Sequence, residues 1–267
     1  MSQTDSEPGI GKNEVPPKCV SFTLEGPFAH FRKVETSSTR LTYALPPRTT
    51  VNGITAAILG LDSNSYYDLL SLTNSAMAIS LTSPVRDYSL AINHLGTSKQ
   101  DLRVLGKSAH RLKMTVTRSK TNTQRTNHNV LRDVSYRIDL WISDEEVYED
   151  LKEKLSTGKS HYTPTLGLSE FLARVTYHGE FEPEPLDTDD ELEIDSAIPD
   201  GTADIHVQPG ESVTSEHSPS EMKRTETPLS NRQTTEFTTY KFRENAEPIT
   251  AQSDNAALVD NRILIFN

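Results

Sequence analysis

Between Gly26 and Thr50 the sequence reads GPFAHFRKVETSSTRLTYALPPRTT, with four cations, one histidine and a single carboxylate, Glu35. Arg32, Lys33, Arg40 and Arg48 are the residue types that neutralise phosphates, and His30, Phe31 and Tyr43 can stack on unpaired bases. Arg48 and Thr49 precede an expected helix, whose free N–H groups attract an anion. Other roles stay open: Phe28 and Phe31 as core plugs, His30 as a hydrogen-bonded structural histidine. One reaction is also open. His30, Lys33 and Tyr43 could together activate an RNA 2′-hydroxyl without metal, although the spacing does not demand it.

A second concentration of charge follows. The 31 residues from Leu102 to Arg132 hold eight Lys/Arg and no carboxylate, among them Lys107, Arg111, Lys113, Arg118, Lys120 and Arg125. Ordinary surfaces intersperse the two signs, so an uncompensated run fits a surface whose charge is balanced by phosphates. A solvated hairpin is the plainer alternative.

The chain as a whole is acidic, with a formal charge of −11, but the charge is segregated. From Phe28 to Arg132 there are 14 Lys+Arg against 5 Asp+Glu; from Glu180 to Asp260 there are 5 against 20. This asymmetry points to a polyanion-binding face on an acidic body. The Thr, Ser and Asp content also suits a host with a salty cytoplasm. Eight histidines show no paired spacing, and there is no Cys-x-x-Cys, Gly-x-Ser-x-Gly or phosphate-loop pattern, so no metal or cofactor is expected. A single cysteine, Cys19, excludes an intrachain disulfide and reads as a small core residue. No leader or 18-residue apolar run is present, so the expectation is a cytoplasmic protein with no membrane contact.

These residues need a scaffold. KCVSFTLE alternates, with Val20, Phe22 and Leu24 on one face, and predicts a strand ending at Gly26-Pro27. Pro46-Pro47 stops it, and Thr49 or Thr50 is expected to cap a helix carrying Val51, Ile54, Ile58 and Leu61. YYDLLSL reads as a further short helix and AMAISLTSPV as a strand. HRLKMTVTR and VSYRIDLWI alternate like two strands of a long hairpin joined by the polar RSKTNTQRTNHNVLRD. SDEEVYEDLKEKLSTG predicts a helix with a Ser143–Glu146 capping box, an apolar face of Tyr148, Leu151 and Leu155, and a stop at Gly158. A Gly-containing loop then leads to a strand near RVTYHGEF. From Glu182 to about Thr235 the composition predicts an acidic, low-complexity surface insertion with little burial. FTTYKF and ALVDNRILIF are β-prone again.

The Gly-Pro-Phe-Ala-His-Phe-Arg-Lys run, the Tyr-x-x-Pro-Pro-Arg-Thr turn, the Gly-x-x-x-Ala-Ile-Leu-Gly-Leu helix, the basic hairpin region and TLGLSEFLA (Thr165–Ala173) follow one another in order. Together they resemble the CRISPR-associated Cas-five family, in the form found in type I-B interference complexes. The resemblance spans Lys18 to Tyr177. It implies an α+β fold: a ferredoxin-like, RNA-recognition-type (RAMP) domain at 18–178 with a basic β-hairpin thumb at about 83–132. A flexible tail at 1–17, an acidic insertion at 179–235 and a small C-terminal β part at 236–267 complete the expected organisation. It implies a non-catalytic subunit of the antiviral Cascade-type ribonucleoprotein that holds the 5′ handle of the CRISPR RNA. Its partners would be a Cas-seven-type backbone subunit and a Cas-eight-type large subunit, with target DNA met indirectly. Residues Gly26–Arg48 would line the handle site together with the glycine loop, Gly167 and Ser169 included. A type I-C relative cuts precursor RNA itself, so a metal-independent endoribonuclease is the alternative.

Overall fold

Alternating residues of one central strand are buried on both of its faces, which sets the layering of the whole chain. The computed structural model describes residues 14–35, 39–95, 123–188, 190–225 and 232–267. Strand β1 (Cys19–Ala29) runs between β6 (Thr123–Ile142) and β7 (Arg174–Phe181), antiparallel to both. Val20, Phe22 and Leu24 share one face and are fully buried, yet Cys19 and Ser21 on the other are fully buried too. It continues through Gly26-Pro27, past the expected stop.

The seven-stranded sheet has the path β2-β3-β6-β1-β7, with β4 and β5 also paired to β6. Here β2 is Phe31–Glu35, β3 Thr39–Tyr43, β4 Ser75–Leu81 and β5 Asp87–Leu95. Strand β6 is long enough to do two things. Its second half pairs β1 and β4, while its first half forms a nine-pair ladder with β5, from Asp87↔Leu131 to Leu95↔Thr123. Asp133, at φ 53, marks the change between the halves. The polar stretch expected as a connection is therefore strand from Thr123 onward: its Thr and Val residues suit a two-stranded ribbon, and pairing with β5 overrides the poor strand preference of its Asn residues. HRLKMTVTR lies outside the described residues.

Helix α1 (Arg48–Leu59) and helix α2 (Glu145–Ser156) pack beside one another. Helix α2 covers the Val20–Phe22 face, where its Lys152 reaches Glu180 (3.3 Å) and Tyr148, Leu151 and Leu155 are buried. Both caps differ from the sequence expectation. Pro47 precedes α1 with no side-chain cap, and Asp144, not Ser143, caps α2 by accepting from the Val147 N–H (3.1 Å). Residues 62–74 form successive turns rather than a helix.

The acidic stretch is the largest departure. It was expected to bury little, but it contributes β8 (Glu184–Pro185), β9 (Leu192–Ile194), β10 (Ile198–Pro199), β11 (Asp204–Ile205) and β12 (Thr214–Arg224). With β13 (Arg232–Phe242), β14 (Ile249–Gln252), β15 (Ala256–Val259) and β16 (Arg262–Ile265) these build two further sheets, ordered β10-β13-β12 and β11-β14-β9-β16-β15-β8. Ile194, Ile198, Ile249, Ala251, Ala256 and Ile265 form a second small core. Asp260 and Asn261, both at positive φ, make the two-residue turn between β15 and β16.

This layer covers the polar face of the central sheet. Arg262 of β16 donates to both oxygens of the fully buried Asp139 on β6 (2.8 Å each), and Arg137 Nε donates to Ser21 Oγ (2.8 Å). Arg137 and Asp139, which alternate with the apolar residues of β6, thus form an internal, charge-paired interface. Phe266 joins the main core, and Asn267 exchanges two backbone hydrogen bonds with Met77 (3.0 Å each).

Candidate functional site

Strand β1 ends where β2 begins, and the single residue between them, His30, is where three segments meet. Its backbone N–H donates to the Leu166 carbonyl (3.0 Å), and its ring Nδ1 lies 2.8 Å from the Asn129 carbonyl on β6. Because a carbonyl only accepts, Nδ1 carries the proton. The ring meets His128 edge-on at 5.0 Å between centroids. Burial, partly opposed by the bond to Asn129, holds the His30 pKa below the ordinary histidine value, so the neutral form is favoured.

The glycine loop closes against this junction. Its two arms are joined by Leu166 N–H to Phe171 O (2.7 Å) and Ala173 N–H to Pro164 O (3.0 Å). Gly167 adopts φ +95, and a Cβ built there would lie 1.9 Å from the His30 carbonyl oxygen. Only glycine permits that backbone conformation and that approach together. Gly26 is similarly confined, its would-be Cβ 2.8 Å from Leu166 Cδ1 and 2.9 Å from the Leu172 carbonyl oxygen.

The junction, the loop, the start of α1 and the β12–β13 hairpin enclose a cleft of about 600 Å³. Of the residues expected to contact a polyanion, His30, Phe31, Arg32, Arg40, Thr49 and Gly167 line it. Arg32 is exposed and Arg40 half-buried, and a third cation, Arg232, enters from β13. Among the described residues no carboxylate lines the cleft. Its remaining surface is small or apolar, including Gly53, Ala57, Tyr66, Pro219 and Met222.

The structure corrects several of the expected roles. Arg48 is fully buried: its guanidinium donates to the Asn267 carbonyl, to the Ser75 carbonyl (2.8 Å) and to Ser75 Oγ (2.7 Å). It binds the chain's own carbonyls and is not presented to a phosphate. Phe31 (1 % exposed) meets Tyr136 edge-on and Tyr43 (5 %) packs in the same core, so neither offers a ring face for stacking. Lys33 pairs with the buried carboxylate of Glu216 (3.0 Å) and lies over the Tyr43 ring (5.2 Å). Glu216 also accepts from the backbone N–H groups of Ala44 (2.9 Å) and Leu45 (3.2 Å), fastening β12 to the β3–α1 turn.

The trio His30, Lys33 and Tyr43 is thereby engaged in holding structure. His30 is 2 % exposed with Nδ1 committed, and burial followed by Glu216 raises the Tyr43 pKa above its ordinary value. Ser169 is exposed on the glycine loop and bonds Glu170 (3.1 Å), outside the cleft lining. Arg125 is exposed on the β5–β6 ladder, opposite Asn93. Lys107, Arg111, Lys113, Arg118 and Lys120 lie outside the described residues. Sequence reasoning missed Tyr66, Pro219, Met222 and Arg232. Arg232 carried a signal, since it is one of only five cations between Glu180 and Asp260.

Among the described residues no group of three or more His, Cys, Asp or Glu side chains is placed to hold a metal ion, and no helix is long and apolar enough to cross a membrane. The arrangement suits binding: lining cations, a backbone-defined wall and a partly apolar floor.

A family model described as "CRISPR-associated protein (Cas_Cas5)" matches residues 19–243. No curated protein matches the chain in sequence at a significant level. Among solved structures, a CRISPR protein from Archaeoglobus fulgidus is 13 % identical over 93 % of this chain and 98 % of its own, with a TM-score of 0.51, and shares the fold. A chain of a CRISPR RNA-guided surveillance complex is 14 % identical over 91 % of each chain, with a TM-score of 0.46.

Proposed function

The chain belongs to the CRISPR-associated Cas5 family, and we propose that it is a non-catalytic, RNA-holding subunit of a type I surveillance complex, of the I-B kind. In this reading it grips the 5′ handle of the CRISPR RNA and caps a backbone of Cas-seven-type subunits beside a Cas-eight-type large subunit, in the cytoplasm. The observation that carries the reading is the cleft: Arg32, Arg40 and Arg232 line it, no carboxylate among the described residues does, and its wall is set by the close His30–Gly167 approach. Cations without acids suit a phosphate backbone, and the apolar floor suits unpaired bases.

Two structural features support the fold implied by the sequence resemblance. The run β7-β1-β6-β4, with α1 between β1 and β4 and α2 between β6 and β7, fits the order and connectivity expected of a ferredoxin-like unit. In this reading the β5–β6 ladder is the thumb. Segregation of the charge along the chain, with basic side chains at the cleft, reconciles a net charge of −11 with an RNA partner in this reading.

The test is a single-turnover experiment with purified protein, repeat-derived RNA and chelator, at two salt concentrations, alongside Arg40→Gln. Retention of intact RNA, with a log–log salt slope reduced by about 0.7 in the variant, supports the holding role. Cleavage of the RNA would establish the processing alternative instead.

A further inference from the structure

The β12–β13 hairpin carries the residues that make the cleft two-sided, and its charge is organised in a way the fold alone does not require. Its inner face is anchored: Glu216, Ser218, Ser220, Thr238, Tyr240 and Phe242 are buried. The Glu216 contacts to Lys33, Ala44 and Leu45 hold one point, and Glu221 accepting from the Leu72 N–H (2.7 Å) holds a second. The hairpin is therefore a fixed wall, packed on α1, rather than a loose flap.

Beyond the second anchor the composition changes. In a stretch dominated by carboxylates, Lys223, Arg224 and Arg232 gather at the distal end, and the ladder sets Arg224 directly opposite Arg232. Like charges directly opposite one another destabilise a strand pair. Two register shifts, between Pro219 and Glu221 and between Glu221 and Met222, interrupt the ladder just before this end. Such bulges re-aim side chains and are common beside functional sites. Pro219, Met222 and Arg232 all line the cleft, and Met222 and Tyr66 also share a smaller adjoining recess with Thr49 and Asn52.

We propose that the distal end of the β12–β13 hairpin is a second RNA-contacting wall, with Arg224 and Arg232 meeting phosphates of the single strand that Arg32 and Arg40 hold from the opposite side. Met222 and Tyr66 supply the apolar surface against which an unpaired base rests. The proposal rests on the RNA-holding reading above and adds to it a contact from the acidic half of the chain. Single-stranded RNA is the occupant because the wall combines cations with apolar surface. A duplex backbone would call for cations alone.

The experiment measures binding of full-length chain to repeat-derived single-stranded RNA by fluorescence anisotropy at several salt concentrations. The variants are the double substitution Arg224→Gln with Arg232→Gln, the charge-retaining pair Arg224→Lys with Arg232→Lys, Arg40→Gln, and Lys241→Gln. Lys241 lies at the other end of the same hairpin, paired with Asp200 (2.7 Å). The double Gln variant is expected to bind about tenfold more weakly, with a salt slope lower by about 1.4 for two lost phosphate contacts. The Lys pair should recover most of that loss and Lys241→Gln should bind like wild type. If Arg40→Gln weakens binding and the double Gln variant does not, the hairpin proposal fails while the RNA-holding reading stands. If wild-type chain binds no RNA, both fail.

Discussion

Replacing Gly167 by alanine puts a methyl group where the structure has no room for one. The φ of +95 costs an L-residue about 1–2 kcal/mol relative to glycine. The added Cβ would sit 1.9 Å from the His30 carbonyl oxygen, against a floor of 3.0 Å for real contacts, so the loop must retreat by about 1 Å. That retreat breaks the His30 N–H to Leu166 O bond, worth about 1 kcal/mol. The sum is about 2–3 kcal/mol, which for a domain of this size lowers the melting temperature by roughly 4–12 °C. The same movement takes Gly167 and Leu168 away from the cleft, so RNA affinity should fall with stability. Calorimetry and RNA binding on Gly167→Ala would be read beside Gly158→Ala. Gly158 also has positive φ (+65) but nothing within 4 Å of its would-be Cβ, so that control carries only the conformational term. If Gly167→Ala melts and binds like wild type, the close packing of loop on junction is wrong.

Arg48→Met is expected to cost about 3–4 kcal/mol, because it strands the Ser75 and Asn267 carbonyls in a buried site. Its RNA affinity per folded molecule should be unchanged; reduced affinity at full stability would return Arg48 to the binding surface. Acidification should destabilise the fold through His30. A histidine whose folded pKa lies below its unfolded value of 6.5 takes up protons preferentially in the unfolded chain, so stability is full above pH 6.5 and falls as pH drops below it. Burial shifts His178 in the same direction, with Arg137 adding to it. Denaturation series between pH 5 and 8 check this, and a stability that rises on acidification through that range contradicts it.

The parts of this molecule that sequence reveals are those whose pattern is local. β1 alternates over Val20, Phe22 and Leu24, and α2 spaces Tyr148, Leu151 and Leu155 on one side, so both were legible, although the α2 cap fell one residue later than expected. The close approach of Gly167 to His30 joins residues 137 apart and leaves no local trace. Arg48 misled for a related reason. A cation after two prolines at a helix start reads as an anion anchor, and only carbonyls 27 and 219 residues away show it to be buried. The acidic stretch hid its strands because β8 to β11 are two or three residues long, too short for a period-2 pattern to emerge from their polar neighbours. The cleft was half legible: its Arg32–Arg40 wall could be read from the opening segment, while its β12–β13 wall depends on that unpredicted sheet.

Photochemical cross-linking tests the central claim most directly. The full-length chain would be bound to repeat-derived RNA carrying 4-thiouridine, irradiated, and mapped by peptide mass spectrometry. The account predicts cross-links in residues 30–32, 40–50, 163–168 and 219–222 and at Arg232, which contribute to the cleft. Cross-links confined to the acidic sheets of β8–β11 and β14–β16, with none in those segments, would contradict it.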